Sequence, residues 1–117
     1  MSTIALDFDG VLSNYTGWHG PGRLDPPVDG AIEAIRAYQD AGLDVCVYTS
    51  RADSPESIRQ LEHWLREYGL ESRRAKQIQI TSRKPPAVVY LDDRAWQFKG
   101  TFPSPGEIKS FKTWQGH

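Results

Sequence analysis

The alternation of short apolar runs with amphipathic stretches constrains the fold most. The segments TIALDF, LDVCVYT and AVVYLD are apolar or β-branched runs bounded by turn residues, and QIQIT is a weaker fourth run. Runs without polar alternation indicate strands that are buried on both faces, as in parallel sheets. Helical patterns separate the first run from the second and follow the second, so the order predicts a parallel α/β sheet.

Two crossover helices are predicted from their start and stop signals. In DGAIEAIRAYQDAG, Asp29 is placed to cap the helix and Gly42 to end it. In SPESIRQLEHWLREYG, Ser54 is the predicted cap, Pro55 takes the first helical position and Gly69 ends the helix. The stripe predicted to be buried in this second helix consists of Ile58, Leu61, Leu65 and Tyr68. The segment SPGEIKSF repeats the start signal and predicts a short C-terminal helix.

The composition is typical of one globular domain. The chain has 117 residues, of which 38% are hydrophobic and 25% charged, and its formal net charge is −1. A chain of this length buries about two-thirds of its unfolded surface, so a single domain over residues 1–117 is expected. The near-neutral charge gives no global basic field of the kind that drives non-specific nucleic-acid binding.

The single cysteine and the hydropathy pattern predict where in the cell the protein is located. The only cysteine, Cys46, lies inside an apolar run and is predicted to be a small buried side chain. No segment approaches the roughly 18 apolar residues of a membrane span, and the N-terminal residues lack the pattern of a secretion signal. A cytoplasmic protein without a membrane partner is therefore expected.

Acidic side chains follow two of the apolar runs where the strands are predicted to end. Asp7 and Asp9 end the first run, and Asp92 and Asp93 end the AVVYLD run. Ligands of open parallel sheets bind beyond these strand ends. Two unit charges about 4 Å apart repel by about 4 kcal/mol at an effective dielectric of about 20, so a cation is expected among the four carboxylates. Oxygen ligands without clustered His or Cys favour a hard ion such as Mg²⁺.

Four motifs occur in order within residues 3–94: DFDGVL, the threonine of VYTSR, a lysine, and an apolar strand that ends in LDD. This set resembles the haloacid dehalogenase superfamily of phosphohydrolases. The resemblance implies a three-layer α/β/α sandwich with a Rossmann-like, mainly parallel sheet. It also implies Mg²⁺-dependent hydrolysis of phosphomonoesters through an aspartyl-phosphate. A single D-x-D pair is weak evidence because acidic pairs are common in turns, whereas four elements in order are specific.

The resemblance implies a role for each acidic residue. Asp7 is the expected nucleophile, and Asp9 is expected to protonate the leaving oxygen and then to activate water. Asp92 and Asp93 are the expected metal acids beside Asp7 and Asp9, with Asp92 favoured for direct contact with Mg²⁺.

The same resemblance assigns a hydroxyl and a fixed positive charge. Thr49 is expected to donate a hydrogen bond to a phosphoryl oxygen, and Lys84 to balance the charge of nucleophile and phosphate. Lys76 is the alternative to Lys84. Lys84 is preferred because it lies closer to the start of the last strand. Two prolines follow Lys84 where many relatives have a helical turn, so this segment departs from the family pattern.

Further residues flank the strand ends and are candidates for phosphate binding. They are Gly10, Ser50, Arg51, Arg23 and Arg94. Gly10 allows a close approach of the backbone to a phosphate, and glycine after Asp is also an ordinary turn. Each of Arg51 and Arg94 either binds phosphate oxygens or pairs with the surplus acids.

The segment between the first strand and the first helix is too short for the cap domain that most members of the family carry. Residues from about 13 to 27 are instead predicted to form a flap over a capless site. Its candidate contacts to substrate are Tyr15, Trp18, His19 and Arg23. An open site admits a small phosphoester, a nucleotide or a macromolecular phosphate end, unless a partner subunit of a homo-oligomer acts as the lid.

Three alternative functions stay open from the sequence. TSR and DDR resemble the phosphatase half of bacteriophage polynucleotide kinase-phosphatases, and the basic segment SRRAKQIQITSRK with the flap aromatics fits a polynucleotide 3′-phosphatase. A non-catalytic, phosphate-binding regulatory protein would keep the same pocket. A receiver-type phosphoacceptor is disfavoured, because receivers begin with an adjacent acidic pair and carry their lysine last.

Overall fold

The computed structural model describes residues 2–20 and 22–116. Its elements in chain order are β1 (Thr3–Leu6), α1 (Ala31–Asp40), β2 (Asp44–Tyr48), α2 (Pro55–Glu67), α3 (Ser72–Lys76), β3 (Gln79–Thr81), β4 (Val89–Leu91) and α4 (Pro105–Lys109). The strands form one four-stranded sheet in the order β3-β2-β1-β4, and every pairing is parallel. The predicted α/β fold with a Rossmann-like parallel sheet is confirmed. Within the described ranges, no helix is long and apolar enough to cross a membrane.

The core lies between the sheet and the crossover helices. Alternate residues of β1, Ile4 and Leu6, join one apolar cluster with Ile35 of α1 and Leu65 of α2. Cys46 on β2 is also buried, as the sequence predicts, and burial raises the pKa of its thiol. Because β1 is paired on both sides, by β2 and β4, the residues that follow it lie at the middle of the sheet's carboxyl edge.

Helix α2 begins as its sequence predicts. The Ser54 side chain accepts a hydrogen bond from the Ser57 backbone N–H at 3.1 Å, and Pro55 is at the first position. Its buried face is shifted from the predicted stripe, because Trp64 is 2% exposed whereas Tyr68 is 39% exposed. Trp64 packs edge-on against the ring of Phe8, which explains why the larger aromatic is the buried one.

The predicted cap of α1 is wrong. Gly30, in the left-handed conformation with φ of 85°, is the residue that precedes the helix, and no side chain caps it. Asp29 is therefore one residue too early to take the capping position. The C-terminal helix α4 has the predicted cap, since Ser104 and Glu107 form a reciprocal capping box.

Two further elements differ from the sequence prediction. Strand β4 is not buried on both faces, because it is an edge strand that pairs only with β1, and its residues 89–91 are between 36% and 44% exposed. Helix α3 was not predicted from its basic sequence. It is stabilised by Arg74, which pairs with Asp40 of α1 and with Glu71.

Candidate functional site

Three carboxylates meet at the carboxyl edge of the sheet. Asp7 follows β1, and Asp92 and Asp93 follow β4, whose residue Leu91 is in register with Leu6. The Asp7 backbone N–H continues the pairing by donating to the Leu91 carbonyl at 2.9 Å. One carboxylate oxygen from each of the three aspartates lies within 4.8 Å of the others. We call Asp7, Asp92 and Asp93 the carboxylate cluster.

Asp7 has the electrostatic environment of a group that a cation would stabilise. The pKa of Asp7 is raised to about 7, mainly by burial. The hydrogen bond from the Phe8 backbone N–H lowers this pKa, whereas the negative charges of Asp92, Asp93 and Asp9 raise it. Burial also raises the pKa of Asp93 above its usual range. Ionising the whole cluster near neutral pH is therefore unfavourable without a positive charge among its members.

Asp93 supplies a separate observation that fits a metal. Its Oδ1 atom is buried and has no hydrogen-bond partner among the described residues. Its other oxygen faces Gly10, where an added Cβ would lie 2.2 Å from Oδ2. Gly10 also has a φ of 85°, so both its conformation and this close approach require glycine. The donor set of hard carboxylate oxygens with one unsatisfied buried acceptor fits Mg²⁺.

The carboxylate of Asp9 does not belong to this cluster. The Nε of Arg51 donates to both of its oxygens, at 2.9 and 2.8 Å, so Asp9 is held in an ion pair. The Arg51 guanidinium carbon also lies 4.7 Å from the ring centroid of Trp18 in the flap. Of the two interpretations of Arg51 from the sequence, pairing with an acid is the one present here.

A cavity of about 210 Å³ opens beside the cluster. It is lined by Asp7, Tyr48, Thr49, Ser50, Ser82 and Asp92, and we call it the reaction cavity. Thr49 is 4% exposed, and its hydroxyl accepts the backbone N–H of Arg51 at 3.3 Å. Tyr48 and Ser82 were missed because no motif marks them, and only the pairing of β2 with β3 brings residue 82 to this edge.

The structure does not bring the predicted lysine to the carboxylates. The Lys84 side chain is exposed, and its Nζ lies 4.8 Å from the ring centroid of Tyr90 on β4. The buried Pro85 follows, and its carbonyl accepts a hydrogen bond from the Tyr90 hydroxyl, which attaches this segment to β4. Lys76, the alternative, is exposed at the end of α3.

The flap is pinned to the body of the protein at its base and at its middle. Ser13 forms bridges with Asp9 and with Pro27, which closes the base of the predicted loop. Thr16 donates to Asp25 through its backbone N–H at 3.0 Å, and the buried Trp64 indole donates to the Asp25 carbonyl at 2.9 Å. Pro21, within the predicted flap, lies outside the described residues.

The other flap and strand-end candidates are placed more loosely. His19 contacts the Thr16 hydroxyl at 2.8 Å, so it belongs to the flap's own bonding. Tyr15 is half-buried, and the exposed guanidinium of Arg23 contacts none of residues 2–20 and 22–116 through a hydrogen bond or ion pair. The backbone N–H of Arg94 donates to Asp92 at 2.8 Å, which shapes the turn after β4.

One contact at the site could not be predicted from any local pattern. The indole N–H of Trp114 donates to the Gly10 carbonyl at 2.7 Å, across a separation of 104 residues. The C-terminal segment is thereby attached to the loop that carries Asp7 and Asp9.

Comparison with known proteins gives one match. No family model and no curated protein matches the chain. A solved structure of a conserved protein from Bacteroides thetaiotaomicron is similar, with 25% identity, a TM-score of 0.59, and coverage of 97% of this chain and 94% of that chain. This likeness supports the α/β fold over almost the whole length.

Proposed function

We propose that this chain is a Mg²⁺-dependent phosphomonoester hydrolase that acts through an aspartyl-phosphate. The observation that carries the proposal is the carboxylate cluster, with the unsatisfied buried oxygen of Asp93, beside a cavity that also presents Thr49 and Ser50. The order of the four sequence motifs supports it independently.

Asp7, Asp92 and Asp93 would hold the metal. When bound, Mg²⁺ would neutralise the cluster and a phosphate's negative charge, which lets the anionic nucleophile and the anionic substrate approach each other. The oxygens of the cluster are hard donors without His or Cys among them, which suits this ion.

Asp7 carries out the first displacement in this mechanism. One of its oxygens forms a bond to phosphorus while the bond from phosphorus to the leaving oxygen breaks. The hydroxyls of Thr49 and Ser50, which line the same cavity, are available to donate to phosphoryl oxygens.

Asp9 acts as the general acid and then as the general base in this mechanism. It gives a proton to the leaving oxygen in the first displacement and takes one from water in the second. The water oxygen then bonds to phosphorus as the bond to Asp7 breaks, which releases phosphate and restores Asp7. Since the Nε of Arg51 holds the Asp9 carboxylate, the Asp9 side chain has to turn from Arg51 toward the reaction cavity at each proton transfer.

The test is phosphate release from a broad panel of phosphomonoesters with Mg²⁺, comparing wild type with Asp7→Asn and Asp9→Asn. Loss of one catalytic carboxylate is expected to lower the rate by at least about 100-fold. Asp29→Asn is the matched control, because Asp29 is exposed and makes no contact at the site. Equal rates for wild type and Asp7→Asn would overturn the proposal. Tight phosphate binding without turnover would instead favour the regulatory protein.

The lysine assignment needs a separate pair of variants. Lys84→Ala is expected to lower turnover if its side chain leaves the Tyr90 ring and reaches the phosphate, whereas Lys76→Ala is expected to leave the rate unchanged. The reverse result would assign the role to Lys76. If neither variant affects turnover, neither Lys84 nor Lys76 supplies the charge balance.

A further inference from the structure

A second cavity, of about 260 Å³, lies between the flap and the start of α2. Its walls include Trp18, Leu24, Ser50, Arg51, Gln60 and Leu61. Trp18, Leu24 and Leu61 give it apolar surface, while hydroxyl, amide and carboxylate groups supply hydrogen-bonding partners. Such a mixture suits a compact organic molecule with one flat apolar face and polar edges. We call it the leaving-group cavity.

This cavity and the reaction cavity share one wall residue. Ser50 lines both, and Arg51, the next residue, reaches from the leaving-group cavity to Asp9. A phosphate held beside Asp7 would therefore direct its ester oxygen and organic group past Ser50. That path also passes Asp9, the residue proposed to protonate the leaving oxygen.

Arg51 brings unused donors to the wall of the cavity. Its side chain is only 8% exposed, and it contacts Asp9 through Nε and Trp18 through the face of the guanidinium. Its two terminal amino groups donate to none of the residues that the structure describes. A buried guanidinium with free donors favours a ligand that carries hydrogen-bond acceptors.

The flap lies close to α2 on one side of the cavity. An added Cβ on Gly22 would lie 3.3 Å from the Gln60 side-chain nitrogen. Gly22, Leu24 and Gln60 also line a neighbouring cavity of about 480 Å³ that runs along α2 past His63. Gln60 therefore lies on the boundary between the leaving-group cavity and this larger space.

The flap that forms one wall is held in place by contacts within the protein. Thr16, Asp25 and Trp64 tie it to the body of the protein, and Leu24 packs against the core cluster. A wall fixed in this way limits the size of the group that fits beneath it.

We propose that the leaving-group cavity binds the organic part of a small phosphomonoester: a compact, uncharged alcohol with one ring system, such as a nucleoside or a monosaccharide. Gln60 sets the length limit, and Trp18 supplies the flat contact surface. This inference rests on the proposed function. It disfavours a macromolecular phosphate end, because a cavity of about 260 Å³ holds about one ring-bearing unit.

The experiment compares kcat/KM, with Mg²⁺, for a ring-free substrate (glycerol 3-phosphate), a nucleoside 5′-monophosphate, a hexose phosphate and a phosphorylated oligonucleotide. The ring-bearing small substrates are expected to be preferred, and the two of them distinguish a nucleoside from a sugar. Trp18→Ala is expected to raise KM for the preferred substrate by about tenfold, and Trp18→Phe to restore most of it. Gln60→Ala is expected to raise the oligonucleotide-to-monomer ratio of kcat/KM by about tenfold, whereas Gln97→Ala, an exposed glutamine elsewhere, leaves the ratio unchanged.

Preference of the wild type for the oligonucleotide or for the ring-free substrate would overturn the inference while leaving the phosphatase proposal standing. If no substrate is hydrolysed, the phosphatase proposal fails. Calorimetric binding of the same four compounds then tests whether the leaving-group cavity binds a ring-bearing group. Weaker binding of the ring-bearing compounds to Trp18→Ala than to Trp18→Phe supports it. Equal binding to both variants contradicts it.

Discussion

The part of the chain up to β3 and the part beyond it differ in how they use their apolar residues. Apart from Pro85, the buried apolar side chains among the described residues lie between Ile4 and Ile78. Beyond residue 81, the large hydrophobic side chains that are exposed include Val88, Trp96, Phe98, Phe102, Ile108, Phe111 and Trp114. The first part thus provides the packed core, while the second carries Asp92 and Asp93.

The buried core and two of the three members of the carboxylate cluster therefore lie in different parts of the chain. The C-terminal part is attached by the pairing of β4 with β1 and by the bond from Trp114 to Gly10. Both attachments reach the loop and strand end that hold Asp7. The acids that follow β4 are therefore positioned by a segment that contributes little to the core.

The largest expected effect on stability comes from the core of the first part. Ile35 is fully buried in α1, and Ile35→Ala is expected to lower the free energy of unfolding by about 2 to 5 kcal/mol, since it leaves a cavity. Ile108→Ala, in α4, removes the same atoms from a side chain that is 52% exposed. It is expected to change the free energy of unfolding by less than about 0.5 kcal/mol. Urea denaturation measures both. Similar losses for the two variants would mean that the C-terminal part is packed in solution by contacts absent here.

The same division explains what the sequence could predict. The strands, α2 with its Ser54 cap and the acidic strand ends follow from local patterns of hydrophobicity and capping. The exposure of β4 could not be predicted, because an apolar run does not show whether a strand is central or at an edge. The sequence offered an acid as one possible partner of Arg51, but which acid it pairs with, and the contact of Trp114 with Gly10, depend on tertiary structure.

The second effect concerns metal binding by the C-terminal acids. Mg²⁺ at about 100 times its dissociation constant is expected to stabilise wild type by about 2.7 kcal/mol. Asp93→Asn is expected to lose most of this stabilisation, because it neutralises the carboxylate with the unsatisfied Oδ1. Thermal unfolding with and without Mg²⁺ measures it, with Asp44→Asn, an exposed aspartate at the start of β2, as control. An unchanged Mg²⁺ response in Asp93→Asn would remove Asp93 from the proposed metal site.

A third effect is the pH dependence of stability in the metal-free protein. Burial raises the pKa of Asp7 to about 7, so between about pH 4 and that value the folded state binds more protons than the unfolded state. The contribution of Asp7 to the free energy of unfolding therefore falls as pH rises through this window. In EDTA, the melting temperature should decline as pH rises from about 4 to 7, and the decline should be smaller in Asp7→Asn than in wild type. An identical decline in both proteins would show that Asp7 titrates in its usual range.

The smallest expected effect tests the attachment of the C-terminal segment to the loop that carries Asp7 and Asp9. Trp114→Phe keeps an aromatic ring but removes the N–H that donates to Gly10, and it is expected to lower the free energy of unfolding by about 1 kcal/mol or less. Trp96→Phe removes the same atom where the described residues offer it no acceptor, so it is the matched control. Because Gly10 contacts Asp93, Trp114→Phe is also expected to weaken Mg²⁺ binding, which Trp96→Phe should leave unchanged. If both variants bind Mg²⁺ equally, the C-terminal segment does not position the site, and β4 alone links the two parts of the molecule.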